Sequence, residues 1–89
     1  MPGLSDNLRT TYSADGAVVL DIARGRIFRF NPTGSRILRM IETGQGRSEI
    51  VSMLIREFSA DPMAAESDTT EFLVALERHS LVRPSFGSR

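Results

Sequence analysis

A strand that runs directly into a helix is encoded by residues 25–34, Gly25-Arg26-Ile27-Phe28-Arg29-Phe30-Asn31-Pro32-Thr33-Gly34. The middle of this stretch is rich in aromatic and β-branched residues, which favour a strand. Asn31 is a good N-cap, and Pro32 suits the first position of a helix. Arg26 and Arg29 are typical of an exposed sheet edge, whose free N–H and C=O groups can pair with a visiting peptide. The alternative is that this strand is only the last one of a small sheet.

Two shorter strand signals come before this stretch and predict an antiparallel sheet. Strands are expected at 9–12 and 17–22, joined by a turn at Ala14-Asp15-Gly16. A second short turn leads into the third strand at 26–30, as in a hairpin.

Alternation along these strands predicts which residues share a face. In the second strand, one face is expected to carry Val18, Leu20 and Ile22, with Asp21 on the other. In the third strand, the core face is expected to carry Phe28 and Phe30, and the opposite face Ile27 and Arg29.

Three helices are predicted after the strands, at 32–43, 47–58 and 62–79. Glycines at 44 and 46 end the first, and Asp61-Pro62 opens the third with a cap and a proline. The predicted buried stripe of the second helix comprises Ile50, Val51, Leu54, Ile55 and Phe58. The predicted anchors of the third are Phe72, Leu73 and Leu76, with Thr69 one turn before Phe72. Strands followed by helices predict an α+β, winged-helix-like domain, with three helices on one face of a three-stranded antiparallel sheet.

The composition is typical of one small soluble domain. The chain has 89 residues, 40% of them hydrophobic and 25% charged, which argues against disorder. No apolar run approaches the ~18 residues that span a membrane, and the N-terminus lacks a signal-peptide core, so a cytoplasmic location is expected. Zero cysteines exclude disulfides and thiol catalysis. Residues 1–8 and 83–89 are expected to be flexible tails around a domain at 9–82.

Catalytic chemistry is not predicted from this sequence. His79 is the only histidine, and one histidine without cysteine does not make a metal site. It falls near a helix C-terminus, where an imidazolium is mildly favoured. The acidic residues of the third helix are interpreted as a solvated face, because no motif indicates a pocket around them. The protein is therefore expected to be no enzyme and to need no cofactor.

Binding of DNA by a winged helix is the alternative function from another class. Eleven acidic residues balance eleven basic ones, so the net charge gives no support for binding phosphates. The third helix carries four acidic residues and a single arginine before His79, which does not suit a recognition helix. All eleven basic residues are arginine, a side chain that recognises carboxylates well.

Two blocks of this sequence resemble the PqqD-like proteins. The first is Gly16-Ala17-Val18-Val19-Leu20-Asp21-Ile22-x-x-Gly25-x-Ile27-Phe28-x-Phe30-Asn31-x-Thr33-Gly34, which is similar to their strand-turn-strand-helix start. The second is Asp68-Thr69-x-x-Phe72-Leu73-x-x-Leu76-x-x-x-x-Leu81-Val82, which resembles their third helix and tail. The resemblance covers about 9–82. Two positions depart from the usual pattern: Phe30 stands in place of leucine, and Thr69 in place of valine.

The resemblance implies a recognition element for ribosomally made, post-translationally modified peptides. Such a domain binds the leader segment of a precursor peptide as an added strand on its third strand, beside its third helix. It then presents the precursor to a separate modifying enzyme or leader protease, in pyrroloquinoline quinone or lasso-peptide pathways. The implied partners are therefore a leader peptide and such an enzyme, with no nucleic acid and no membrane.

Combined with the edge-strand pattern, the resemblance predicts a peptide-binding site. The strand would supply the backbone ladder, side-chain pockets would supply specificity, and the two arginines would pair with leader carboxylates. The predicted site residues are Arg26, Ile27, Phe28, Arg29, Phe30, Glu66, Thr69, Thr70, Leu73, Val74 and Glu77. For Leu73 and Val74, an ordinary core position is the alternative.

Overall fold

Three strands and then three helices make up the fold in a computed structural model, which describes Leu4 and residues 7–82. The elements are β1 (Leu8–Ser13), β2 (Gly16–Asp21), β3 (Arg26–Phe30), α1 (Pro32–Glu42), α2 (Arg47–Phe58) and α3 (Pro62–Arg78). The strands form one antiparallel sheet in the order β1-β2-β3. The predicted α+β class is confirmed, and the predicted bounds agree closely with those observed.

The N-caps predicted from the sequence are observed at the start of α1 and α3. The Asn31 side chain accepts a hydrogen bond from the Gly34 backbone N–H at 2.8 Å, and Pro32 is the first residue of α1. The Asp61 carboxylate accepts from the backbone N–H groups of Met63 and Ala64. Each cap satisfies donors that a helix leaves unpaired at its N-terminus.

The two faces of the sheet differ sharply in their environment. The helices cover the face that carries Ala17, Val19 and Asp21, which are all buried. Phe28 and Phe30 lie on this face as well and pack against the core, as predicted. The predicted alternation in β2 is correct, but the covered face is the one with Asp21. The face that carries Leu20 and Ile27 is exposed.

The buried stripe of α2 differs from the predicted one at its edges. Ile50, Val51 and Leu54 are buried, as predicted. Met53 is fully buried, although it was not predicted, whereas Ile55 is 37% and Phe58 48% exposed. The helix is turned so that Met53 and Leu54 flank Ile50 on the core side. Phe58 is the last residue of the helix, where its neighbours no longer cover it.

The two ends of the described chain meet at the core. Leu81 and Val82 are buried, and Val82 forms an antiparallel bridge with Leu4. Leu4 is itself buried, and Leu8 begins β1, so these two residues do not behave as the predicted tail. The remaining residues at 1–3, 5–6 and 83–89 lie outside the described part of the chain, and so do the predictions made for them.

At Gly16, the backbone of β2 lies directly against the backbone at the end of β3. A Cβ atom on Gly16 would lie 1.9 Å from the carbonyl oxygen of Phe30, and the Gly16 φ angle is +139°. Both the space and the backbone angle therefore require glycine at this position. Gly25, in the turn between β2 and β3, has a φ of +65° but no atom within 4 Å of its Cβ position.

Replacing Gly16 with alanine is expected to destabilise the protein by about 2–4 kcal/mol, because backbone strain and steric overlap add. The matched control is Gly25→Ala, which carries only the left-handed backbone penalty of about 1–2 kcal/mol. Urea unfolding of both variants measures the two losses. Equal losses would mean that the contact with Phe30 relaxes without cost.

Candidate functional site

The free edge of β3 offers two residues for backbone pairing. Within the described chain β3 pairs only with β2. The carbonyl of Phe30 points at β2, as its position beside Gly16 requires. In an antiparallel strand the N–H and C=O of one residue point to the same side, and successive residues alternate. The backbone groups of Arg26, Phe28 and Phe30 are therefore directed to β2, and those of Ile27 and Arg29 face outward.

The opposite edge of the sheet obeys the same alternation. The Ile22 backbone N–H donates to the Asn7 carbonyl at 3.3 Å. Asn7, just before β1, therefore directs its backbone groups towards β2. By alternation along β1, Thr10 directs its backbone groups away from β2. The sheet therefore has a second free edge, at which Thr10 is the counterpart of Ile27.

Aromatic side chains fill the angle between β3 and α3. The rings of Phe30 and Phe72 meet nearly edge to face, with centroids 5.9 Å apart. The rings of Phe28 and His79 lie 5.2 Å apart. All four side chains are only partly covered or exposed. We call this set, Phe28, Phe30, Phe72 and His79, the aromatic groove.

A pocket of about 210 Å³ continues the aromatic groove past the end of β3. It is lined by Asn31, Thr33, Gly34, Ile37, Leu54, Asp68 and Phe72. Its apolar lining comes from α1, α2 and α3 together. Asp68 supplies the one acidic side chain in this lining and is exposed. The pocket suits an apolar side chain, with a carboxylate at its rim.

A partly buried ion pair connects the start of β3 to the end of α3. Asp21 is only 2% exposed, and its Oδ2 accepts from Arg26 Nη2 at 2.9 Å. The same Nη2 donates to the backbone carbonyl of His79 at 2.7 Å, and His79 is the C-cap of α3. Arg24 adds a backbone and a side-chain hydrogen bond to the Asp21 carboxylate. The Arg26 guanidinium also lies 5.0 Å from the centre of the Phe28 ring.

These bonds set the ionisation of Asp21. The hydrogen bond from Arg26 is the main cause that holds the pKa of Asp21 below its usual 3.8, with smaller contributions from Arg24 against the opposing effect of burial. The carboxylate is therefore the stable form in the folded protein. Arg26, which was predicted to pair with leader carboxylates, already has an internal partner.

The structure brings together only some of the predicted site residues. The whole of β3 lies at the free edge, as expected. On α3, Thr69 and Leu73 are buried in the core, and Glu66 is paired with Arg47 at 2.9 Å. The residues of α3 that face away from β3 are Thr70, Val74 and Glu77. Their contact with a peptide stays a prediction.

Helix geometry explains why these three residues face away. Successive residues of an α-helix are about 100° apart, and Phe72 and His79 mark the side of α3 that contacts β3. Val74 is two residues from Phe72, so it points to nearly the opposite side. The sequence did contain the signal for this side, because Asp68, Phe72 and His79 follow helical spacing. Which stripe would meet β3 depended on how the helix packs.

The comparisons with known proteins agree with this architecture. The family model for "Coenzyme PQQ synthesis protein D (PqqD)" matches residues 16–82. This chain belongs to the PqqD family, which confirms the predicted resemblance. No curated protein matches the sequence significantly.

Two solved structures share the fold. One is described as TbiB1 in complex with the TbiA(beta) leader peptide; it is 32% identical, with a TM-score of 0.86, and the match covers 94% of this chain and 96% of that one. The other is a lasso peptide synthetase B1 complexed with the leader peptide, with 21% identity, a TM-score of 0.83, and coverage of 91% and 95%. The second likeness bears on the fold alone.

Neither a metal cluster nor a membrane-spanning helix is found in the described part of the chain. Across the described residues, no group of three or more histidine, cysteine or acidic side chains is placed to hold a metal ion. None of the helices in the same part of the chain has the length and hydropathy needed to cross a membrane.

Acid is expected to weaken the fold through Asp21. The unfolded chain takes up a proton at Asp21 before the folded chain does, because the folded pKa is the lower one. The stabilisation is complete above the unfolded pKa and is lost as the pH falls through the folded value. Urea unfolding of the parent and Asp21→Asn, from about pH 5 to about pH 2, measures it. The stability difference should shrink towards acid; a constant difference would contradict this assignment.

Proposed function

We propose that this protein binds the leader segment of a ribosomally made precursor peptide and presents it to a separate modifying enzyme or leader protease. The peptide adds as a fourth strand to the free edge of β3. The observation that carries this proposal is the outward-facing backbone of Ile27 and Arg29 beside the aromatic groove. It is supported by the 32% identity to TbiB1, whose structure holds a leader peptide.

Backbone pairing alone gives weak binding. Ile27 and Arg29 each offer one N–H and one C=O, so a guest strand gains up to four hydrogen bonds. At a net value of about 1 kcal/mol each, the ladder supplies about 4 kcal/mol, which corresponds to a Kd of about 1 mM. Tighter binding therefore requires side chains of the leader in the aromatic groove and in the pocket beyond it.

The two sides of a guest strand meet different chemistry. Alternate side chains face the aromatic groove, which favours apolar or aromatic residues. The side chains between them lie beside Ile27 and Arg29. Among the described residues Arg29 has no ion-pair partner, so it is the arginine that is available to a leader carboxylate. Arg26 instead holds the groove in shape through Asp21 and His79.

Neither catalysis nor DNA binding is part of the proposal. The His79 ring packs against Phe28, and its carbonyl serves Arg26, so its contacts are those of a structural residue. The exposed part of α3 is acidic and would repel a phosphate backbone. Leader binding by strand addition should change little with salt, whereas binding through several phosphates would weaken steeply.

Proline at position 27 is expected to abolish leader binding while the fold persists. Ile27→Pro removes an outward N–H and obstructs the added strand. The probe is a fluorescent synthetic peptide with the leader sequence of the precursor peptide from the same pathway. Fluorescence anisotropy measures affinity, and circular dichroism measures folding. Phe28→Pro, which removes an inward-facing donor, is expected to unfold the sheet.

The matched control is Thr10→Pro, which removes an outward donor at the other free edge. This variant should fold and should bind the leader as the parent does. Strand addition at β3 is rejected if folded Ile27→Pro keeps the parent affinity. Loss of binding in the Thr10 variant alone would place the guest strand on β1 instead.

Side-chain selection is tested by comparing two residues of α3. Phe72→Ala opens the aromatic groove and is expected to weaken leader binding about tenfold or more, which corresponds to at least ~1.4 kcal/mol. Val74→Ala removes a 41% exposed side chain on the far side of the helix and should change the affinity by less than about twofold. Thermal unfolding confirms that both variants are folded at the assay temperature. The opposite ranking would favour the groove wall predicted from sequence, with Val74 in contact with the peptide.

A further inference from the structure

The last turn of α2 continues the wall of the pocket that lies past the aromatic groove. Leu54 lines that pocket. Phe58 follows four residues later, one helical turn further along the same side of α2. Its side chain is 48% exposed. An apolar surface therefore runs from the pocket to the end of α2.

The crossing of α2 and α3 places Phe58 on the same side of α3 as Asp68. At the start of α2, Arg47 pairs with Glu66 of α3 at 2.9 Å. Two turns later along α2, Leu54 lines the pocket together with Asp68. Glu66 and Asp68 are about 200° apart around α3, so α2 passes beneath α3 from one of these residues to the other. The end of α2 therefore emerges on the Asp68 side.

Alanines occupy the region between Phe58 and Asp68. Ala64 lies four residues before Asp68, on the same side of α3, and is exposed. Ala60, in the connection between the helices, donates its backbone N–H to the Leu54 carbonyl at 3.2 Å. We call the surface formed by Leu54, Phe58, Ala64 and Asp68 the distal strip.

The charge of the distal strip is negative. Asp68 has no ion-pair partner within the described chain. Glu57, next to Phe58, is instead paired with Arg36 at 3.0 Å. A free carboxylate beside an apolar surface suits lysine or arginine, whose apolar stem packs on the surface while the cationic head meets the carboxylate.

A peptide paired with β3 has a continuous path to the distal strip. Phe30 ends β3, and its ring meets that of Phe72. Phe72 also lines the pocket, together with Leu54 and Asp68. A guest chain that passes Phe30 therefore reaches the pocket and then the strip. This continuity and the free carboxylate favour one occupant, a segment of the precursor that carries an apolar residue and a basic residue.

We propose that the distal strip is a second recognition site for the precursor, with a lysine or arginine at Asp68 and an apolar side chain at Phe58. This inference rests on the proposed function, because the strand added to β3 brings the segment to the strip. Backbone pairing on β3 selects little by sequence. The distal strip therefore adds discrimination in favour of precursors with a basic residue next to the paired strand.

The test measures the affinity of Phe58→Ala and Asp68→Asn for the fluorescent synthetic leader peptide by anisotropy. One matched control is Met63→Ala, which removes an 81% exposed apolar side chain. The other is Glu77→Gln, which removes the same charge nine residues from Asp68, on the opposite side of α3. A second set of peptides replaces each lysine or arginine of the leader with glutamine in turn. Thermal unfolding verifies that each variant is folded.

We expect Asp68→Asn to weaken binding about threefold at low salt, as for an exposed ion pair. This loss should vanish as the salt concentration approaches about 1 M. One of the glutamine peptides should bind the parent and Asp68→Asn equally, because both changes remove the same pair. Phe58→Ala should weaken binding about fivefold at every salt concentration. Both controls should stay within about 1.5-fold of the parent.

Several results would overturn the inference. One is parent-like binding by folded Phe58→Ala; if that variant does not fold, Asp68→Asn decides alone, because it preserves the shape of the side chain. Another is a loss in Asp68→Asn that depends neither on salt nor on any basic residue of the leader. An equal loss in Glu77→Gln would assign the effect to net charge and would also reject the strip.

Failure of the proposed function gives a different pattern. In that case the parent does not bind the leader, or folded Ile27→Pro keeps the parent affinity. If Ile27→Pro loses binding while the Phe58 and Asp68 variants bind as the parent does, the strand addition stands and only the distal strip is rejected.

Discussion

The geometry of the site depends on a buried carboxylate. Asp21 ends β2 on the face that packs against the helices, where an unpaired charge would be costly. Arg26 offsets this cost and, with the same nitrogen, donates to the carbonyl of His79, the C-cap of α3. One guanidinium therefore connects the second strand, the third strand and the third helix. Phe28 and His79 lie next to that connection. It therefore fixes the separation of β3 and α3 at one end of the aromatic groove.

In the third strand, the groups that face inward and the groups that face outward have different roles. Its inward backbone groups pair with β2, and its inner side chains contribute to the core. Its outward backbone groups remain free, and Ile27 and Arg29 point their side chains to the exposed face. A strand with both apolar and unpaired polar groups exposed is an aggregation hazard in most proteins. Here its short length and the arginine at 29 limit that hazard while the edge stays open.

Local signals in the sequence were sufficient for the elements, and non-local packing decided the site. The bounds of β3 and the caps at Asn31 and Asp61 were predicted because they depend on neighbours in the chain. The core position of Met53, the burial of Asp21 and the side of α3 that faces β3 were not. Each of these depends on the rotation of an element against partners distant in sequence. The exposed residues Thr70 and Val74 were therefore grouped with β3, although Phe72 is the residue of α3 that meets it.

The missing side chain at Gly16 has a consequence for molecular recognition. No Cβ atom fits beside the Phe30 carbonyl, so only Gly16 can occupy this position on β2. The hairpin therefore has one register. A slip by one residue would turn the backbone of Phe28 outward and move the aromatic rings to the other face. Gly16 therefore fixes the register of β3 against β2. A residue of β2 therefore determines which residues of β3, Ile27 and Arg29, offer their backbone groups to an added strand.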